Sequence, residues 1–269
     1  MPASALMNVM IKAARKAGRS LARDFGELEK LQVATKGPAD FVSRADHRAE
    51  KLIYDELSHA RPNYRFLMEE SGIVDGADQT HRWIVDPLDG TTNFLHGIPL
   101  FSISIALERE GELVAGIVYN PALDEMYTAE KGKGAFLNDR RLRVASRDDI
   151  GDAVVVTGIP HRGKSGKERF IHECRQVMQN VAGVRRTGSA ALDLAWVAAG
   201  RFDGYWERNL NAWDIAAGIV LVREAGGLVS DFTGGHEYLK SGNVVAAAPK
   251  LFPAMLREIR PHLTAELST

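Results

Sequence analysis

Residues 64–130 carry five short apolar runs in close succession: YRFLM, RWIVD, FSISIALE, ELVAGIVYN and EMYTAE. Each is rich in β-branched and aromatic residues, and turn residues separate them, which is the pattern of strands. FSISIALE alternates apolar with small or polar residues, so its sheet has two different faces. Helical patterns flank this strand cluster. The combination predicts an α+β fold of packed layers with mixed or antiparallel sheets, not the regular strand–helix alternation of a doubly wound sheet.

In residues 4–30, Leu6, Val9, Met10, Ala13, Ala17, Leu21 and Phe25 recur at helical spacing, with Lys12, Arg15, Lys16 and Arg19 elsewhere. That predicts a long amphipathic helix. A second helix is predicted from Ser43, with Ala49, Leu52, Ile53 and Leu57 as its buried stripe and Pro62-Asn63 beyond its end. TKGPAD, residues 35–40, reads as a loop between them. After AVVVTG at 153–158 come a predicted helix over 165–180 and another in GSAALDLAWVAAG, residues 188–200, with Ser189 as its N-cap. The strand FDGYWE precedes a helix over 213–224 that Gly226 and Gly227 end. Strands LVSD and VVAAA and a helix over 249–260 complete the chain. A soft boundary at RDDIGD divides it into an N-terminal α+β subdomain, 1–150, and a C-terminal α/β subdomain, 151–269, of one compact unit.

A chain of 269 residues is long enough for a substantial core. Its formal charge of -1 supplies no general field for nucleic acid or an anionic membrane, so no direct sequence-specific nucleic-acid contact is expected. The single cysteine, Cys174, excludes an intramolecular disulfide and a Cys-rich zinc site. Basic residues interrupt the first helix, unlike a signal peptide, and no run approaches the roughly 18 apolar residues of a membrane span. A cytoplasmic location is the expectation.

Four carboxylates, Glu69, Asp86, Asp89 and Asp214, stand where an apolar element meets a turn. Such acids can reach a cleft while staying anchored. Gathered without a cation they would raise one another's pKa, and oxygen-only ligands suit hard Mg²⁺. In DPLDG, Pro87 biases Asp86 toward extended geometry and is expected to stop the strand there. The turn then returns Asp89 to the same side and lets the Leu88 carbonyl point into the same space. Gly90-Thr91-Thr92 can open a helix or turn whose N–H groups cradle a phosphate. DPLDG is also good turn chemistry, with Thr91 a good N-cap. Taken singly, Glu69 reads as a solvated strand end, Asp214 as a first-turn acid favoured by the helix dipole, and Asp46 as half of a capping box with Ser43. Among the histidines, His47 and His161 read as surface or packing residues, His96 as a structural residue that could touch a substrate beside the Asp pair, and RRTGS at 185–189 as a solvated basic segment that could also meet phosphate. There is no nucleophile elbow, Walker A motif or H-E-x-x-H.

WIVDPLDGTTNF at 83–94 closely resembles the signature of the inositol monophosphatase family. MEESG at 68–72 and WDIAAG at 213–218 resemble its other two acidic motifs, in order and at suitable distances. The similarity also covers KGPADFVSRAD at 36–46, GSAALDLAWVAAGRFDGYWE at 188–207 and EAGGLVSDFTGG at 224–235, nearly the whole chain, and looks most like the family's bacterial SuhB-type branch. Ser43 stands where the family commonly has Thr, and the 163–168 loop, GKSGKE, carries no family pattern in the half that shapes substrate choice.

The resemblance implies a layered αβαβα sandwich and a Mg²⁺-dependent phosphate monoester hydrolase. By motif, Glu69, Asp86 and the Leu88 carbonyl would hold one Mg²⁺, and Asp86, Asp89 and Asp214 a second, with Glu69 touching a third, weaker ion through water. Thr91, hydrogen-bonded with Asp46, would orient the attacking water. Gly90 and Thr91 amides would meet phosphate oxygens, while Gly188, Ser189, Ala190 and Glu207 match positions that contact inositol hydroxyls. The implied substrate is myo-inositol 1-phosphate, with fructose 1,6-bisphosphate, histidinol phosphate and nucleotide 3′-phosphates as alternatives. The family is also lithium-sensitive and commonly homodimeric. Some SuhB-type relatives associate with the transcription antitermination machinery, which makes an RNA polymerase-associated partner the alternative from another functional class.

Overall fold

The computed structural model describes residues 3–27, 33–37, 40–160 and 165–260. Helix α1 (Ala5–Phe25) starts where the Ser4 side chain accepts a hydrogen bond from the Met7 N–H, and buries Met10, Ala13, Ala17 and Leu21. It ends before residue 30, and residues 28–32 lie outside those described. The segment predicted as a loop differs: β1 (Val33–Gly37) and β2 (Asp40–Ser43) pair antiparallel, so part of TKGPAD is strand. Gly37 is the last residue of β1, and residues 38–39 lie outside those described. Helix α2 (Arg44–Ala60) begins one residue after Ser43, which is the last residue of β2.

The strands expected between residues 64 and 130 all form. They belong to an eight-stranded sheet built from β3 (Tyr64–Met68), β4 (Gly72–Val74), β5 (Asp78–Asp89), β6 (Ser102–Arg109), β7 (Glu112–Asn120), β8 (Glu125–Glu130), β9 (Gly134–Leu137) and β10 (Arg140–Arg141), in the order β10-β9-β8-β7-β6-β5-β3-β4. Within it β3 and β5 run parallel and the other pairs antiparallel. Between β5 and β6 lies the short helix α3 (Thr91–Leu95). The second half supplies β11 (Val154–Thr157), α4 (Lys167–Met178), β12 (Gly183–Arg185), α5 (Ala190–Ala198), β13 (Gly204–Glu207), α6 (Ala212–Glu224), β14 (Leu228–Ser230), α7 (Tyr238–Ser241), β15 (Val244–Ala247) and α8 (Phe252–Ile259). Its five strands form a mixed sheet in the order β12-β11-β13-β15-β14.

Strand alternation sorts the side chains into three cores. Trp83 and Val85 of β5 face α1 and α2, where Met10, Ala17, Ile53 and Leu57 meet them. Ile84 faces the other way, into a core filled by α5 and α6. On the small sheet Val156, Tyr205, Val244 and Ala246 close that same core from beyond, while Val155, Trp206, Val245 and Ala247 turn outward to α4 and α8. The result is five layers, helices–sheet–helices–sheet–helices, as the α+β sandwich requires. No helix among the described residues is long and apolar enough to cross a membrane.

The middle layer is tight. A Cβ added at Gly116 of β7 would lie 2.6 Å from the Ala217 carbonyl oxygen and 3.0 Å from its Cα, so the strand meets the backbone of α6 directly. Gly116→Ala is expected to push α6 off the sheet. Overpacking of this kind costs about 1–3 kcal/mol, and urea unfolding should show a lowered midpoint with an unchanged slope. A midpoint equal to that of the parent would contradict the contact.

Candidate active site

The parallel pair β3–β5 aligns Met68 with Val85, and the Glu69 N–H donates to the Val85 carbonyl at 3.2 Å. Glu69, just past the end of β3, is thereby set beside Asp86 of β5. Pro87 does not stop the strand there. β5 continues to Asp89, and its register against β6 shifts on the way: Asp86 pairs with Ser104 and Asp89 with Ser102. Residues 87 and 88 of β5 therefore stand opposite the one residue 103 of β6, which is a β-bulge. In a regular strand residues three apart point to opposite faces. The extra residue cancels that alternation and turns Asp86 and Asp89 to the same side. Proline is tolerated because a bulge already interrupts the ladder, and the Leu88 N–H donates to Asp86 Oδ1 at 2.9 Å.

Two helices of the middle layer begin against this bulge. Ser102 Oγ lies 3.3 Å from Ser189 Oγ at the start of α5, and Ser104 Oγ donates to the Trp213 carbonyl at the start of α6 at 3.0 Å. Ser189 occupies the expected N-cap position but makes no cap bond to its own helix. Its hydroxyl donates to Asp89 Oδ2 at 2.5 Å, and the Ala191 N–H donates to the same oxygen at 2.8 Å. A carboxylate distant in sequence thus satisfies the end of α5. On α6, Asp214 Oδ2 accepts from the Asn211 N–H at 2.7 Å.

These acids line one cavity of about 360 Å³. Burial, then the charges of Glu69, Asp89 and Asp214, hold Asp86 well above the ordinary carboxylate range. Asp214 is raised by burial and then by Asp89, with the Asn211 N–H pulling the other way. Asp89 is pushed up to about 6, burial outweighing the hydrogen bonds from Ser189 and the α5 amides. The repulsion expected of clustered acids is therefore present. Among the described residues no three His, Cys, Asp or Glu side chains already form a set able to hold a metal ion; Asp86, Asp89 and Asp214 are instead turned onto protein N–H and O–H donors.

Leu88, Gly90, Thr91, Gly188, Ser189, Ala190 and Glu207 line the same cavity. Gly90, not Thr91, is the N-cap of α3, at φ 91°, and a Cβ there would lie 3.0 Å from the Leu100 carbonyl oxygen, so both space and dihedral favour glycine. Thr91 Oγ1 donates to the Leu88 carbonyl at 3.0 Å. Asp46 is buried in the first turn of α2 and is not among the residues that line the cleft. At the end of β13, Glu207 Oε2 accepts from the Tyr205 hydroxyl at 2.7 Å. Burial raises its carboxyl to about 7, against the pull of Tyr205, Arg186 and the Gly158 N–H. A Cβ at Gly158 would overlap that carboxylate.

Several lining residues were not anticipated. Asp193 is buried in the first turn of α5 with the Thr187 hydroxyl donating to it, and burial holds it well above the usual range. An acid in the apolar run AALDLAWVA was the available signal. Arg186, from the basic segment read as a solvated face that could also meet phosphate, lines the cleft, whereas Arg185 does not. Glu173 and Arg208 also line it, on elements 35 residues apart that only the fold joins. His96 is the exposed C-cap of α3, and exposed His47 lies 3.7 Å from Glu70; both are outside the cleft lining. His161 lies outside the described residues, as do 163–164 of the GKSGKE loop.

Comparison with known proteins gives one answer. The inositol monophosphatase family model matches residues 3–264. The chain is 62% identical over 265 residues to an inositol-1-monophosphatase of Mesorhizobium japonicum, covering 98% of this chain and 100% of the relative. It is 44% identical over 262 residues to the Nus factor SuhB of Escherichia coli K12, covering 97% and 98%. Among solved structures, the extragenic suppressor protein suhB from Bartonella henselae superposes with a TM-score of 0.93 at 57% identity, covering 96% of this chain and 99% of that one. Fold, acidic motifs and overall likeness agree, and the chain belongs to the inositol monophosphatase family.

Proposed function

We propose that this protein hydrolyses a polyol phosphate with Mg²⁺, and that its substrate is myo-inositol 1-phosphate. Family membership supports a phosphatase; the metal and the alcohol are the proposed part. One observation carries the reading: Glu69, Asp86, Asp89 and Asp214, delivered by two strand ends and a helix start, line a single cleft together with Gly90 and Thr91.

The donor set fits Mg²⁺. It is all oxygen, largely buried, and its acids raise one another's proton affinity, so a hard cation would relieve the repulsion. Glu69, Asp86 and the Leu88 carbonyl would hold one ion, Asp86, Asp89 and Asp214 a second, and Glu69 would reach a weaker third through water. When bound, such ions make a coordinated water more acidic and offset charge on the phosphoryl group and the departing alkoxide. The remaining work belongs to the chain. Gly90 and Thr91 amides bind phosphate oxygens, and the Thr91 hydroxyl orients the attacking water. Gly188, Ser189, Ala190 and Glu207 hold the alcohol, the Glu207 carboxylate accepting from its hydroxyls.

Measuring kcat/KM for inositol 1-phosphate, fructose 1,6-bisphosphate, histidinol phosphate and a nucleotide 3′-phosphate decides the substrate. The first should lead; a clear preference for another would replace it. The name of the Escherichia coli relative supports a second reading, a transcription antitermination partner. It is tested by asking whether an inactive variant rescues a strain lacking the gene.

That variant is Asp214→Asn. Removing a buried, repelled charge should lower kcat by on the order of 100-fold or more, while the melting temperature of the metal-free protein holds or rises. Full Mg²⁺-dependent turnover would sink the assignment. The raised acids also set a pH dependence. Asp89, at about 6, and Glu207, at about 7, bind more protons in the folded than in the unfolded chain. Their contribution to stability is present at low pH and is lost as pH rises through those values. Mg²⁺ must displace the protons at its site, so MgCl₂ should raise the melting temperature more at about pH 7.5 than at about pH 5. Equal shifts would contradict metal binding at these acids.

A further inference from the structure

Arg208 directly follows Glu207 and lines the same cleft. Its Nε donates to Glu173 Oε1 at 2.6 Å, Nη2 donates to that same oxygen, and the guanidinium carbon sits 4.1 Å from the centroid of the Phe232 ring. Glu173, on α4, is fully buried and also lines the cleft, with Arg169 Nε 3.8 Å from its Oε1. One edge of the guanidinium fork is therefore clamped and one face is covered. The remaining nitrogen, Nη1, has no hydrogen-bond partner among the described residues and is not an enclosed atom. Its two N–H groups are left without a partner among the described residues.

This arrangement is costly for stability alone. Glu173 Oε2 is buried and accepts no hydrogen bond from any described residue, a condition that ordinarily destabilises a fold. Such departures from local consistency concentrate at functional sites. A guanidinium held along one edge and face is also pre-organised, so little entropy is lost when its free edge binds.

We propose that Arg208 is a specificity-determining residue that donates through Nη1 to an oxygen on the alcohol half of the substrate, with Glu173 as its positioning residue. The proposal rests on reading the cleft as a polyol-phosphate site and adds what selects the alcohol. Glu207 beside it can only accept when ionised, and Arg208 can only donate. Adjacent hydroxyls satisfy both, one giving its proton to the carboxylate and its neighbour accepting from the guanidinium. An alcohol without hydroxyls leaves both groups desolvated and unpaired, and a site built to bond hydroxyls rejects it strongly for that reason. The selected class is phosphates of alcohols bearing neighbouring hydroxyl groups. Lysine at this position would keep the charge but lose the fixed fork.

The test compares inositol 1-phosphate with cyclohexyl phosphate, the same ring without its other hydroxyls. Arg208→Met alone would strand a buried Glu173 charge, so it is combined with Glu173→Gln, and Arg208→Lys is measured alongside. Both variants should lose about 10-fold or more in kcat/KM for inositol 1-phosphate, chiefly through a higher KM. The loss for cyclohexyl phosphate should be several-fold smaller. Equal losses for both substrates would mean a structural role and overturn the proposal, as would no loss for either. A parent enzyme that hydrolyses neither substrate would overturn the phosphatase reading itself and the proposal with it.

Discussion

Asp86, Asp89 and Asp214 share a cleft in which no lysine or arginine among the described residues bonds to any of them. Buried acids in that position oppose folding unless something else holds them, and the surrounding architecture supplies only partial relief. Asp89 is held by the first turn of α5, Asp214 by the backbone of its own helix start, and Asp86 by the amide two residues on. None of these donors carries a full charge, so the acids keep a raised proton affinity. On the proposed function, a site left short of positive charge in this way would take up cations and an anion that arrives with them.

The rest of the fold serves to hold that shortage in place. Between the two sheets, α5 and α6 are apolar on nearly every side, so they are fixed by packing and not by solvent contact. Close approach at Gly116 sets the height of α6 above the large sheet, and Gly218 plays the same part toward Leu194 of α5. Serines on β6 tie both helix starts to the bulge that carries Asp86 and Asp89. Displacement of either helix would therefore move the acids relative to one another, which links packing far from solvent to the chemistry of the cleft.

On the proposed function, the two halves of the cleft answer different questions. On the phosphate side, backbone geometry dominates: a left-handed Gly90, a short helix start, and a threonine hydroxyl bonded to the Leu88 carbonyl. On the alcohol side, side chains dominate: Glu207, held by Tyr205, and Arg208, held by Glu173 and Phe232. Phosphate is common to all of the family's candidate substrates, so a backbone cradle suffices there. Discrimination among alcohols needs groups of defined charge and direction.

Local pattern was enough to mark the strands from 64 to 130, the helices at 44–60, 190–198 and 212–224, and the acids at their ends, because burial stamps a period of two or 3.6 on the chain. It also placed Asp86 and Asp89 on one side, though through a strand-ending turn. Only pairing with β6 shows a bulge in a continuing strand, since register belongs to two strands and not to one. For the same reason Ser189 looked like the cap of its own helix, whereas tertiary structure gives its hydroxyl to Asp89. Asp193, Glu173 and Arg208 were not singled out as site residues, because a single charged residue acquires meaning only from what lies across the cleft. The sequence by itself determined most of the longer elements, their apolar faces and the family's acidic motifs, all of which are short-range. The tertiary structure decided which oxygens meet, which carboxylates have a raised proton affinity and which arginine edge is left without a protein partner, because those depend on distances between segments that the chain brings together only on folding.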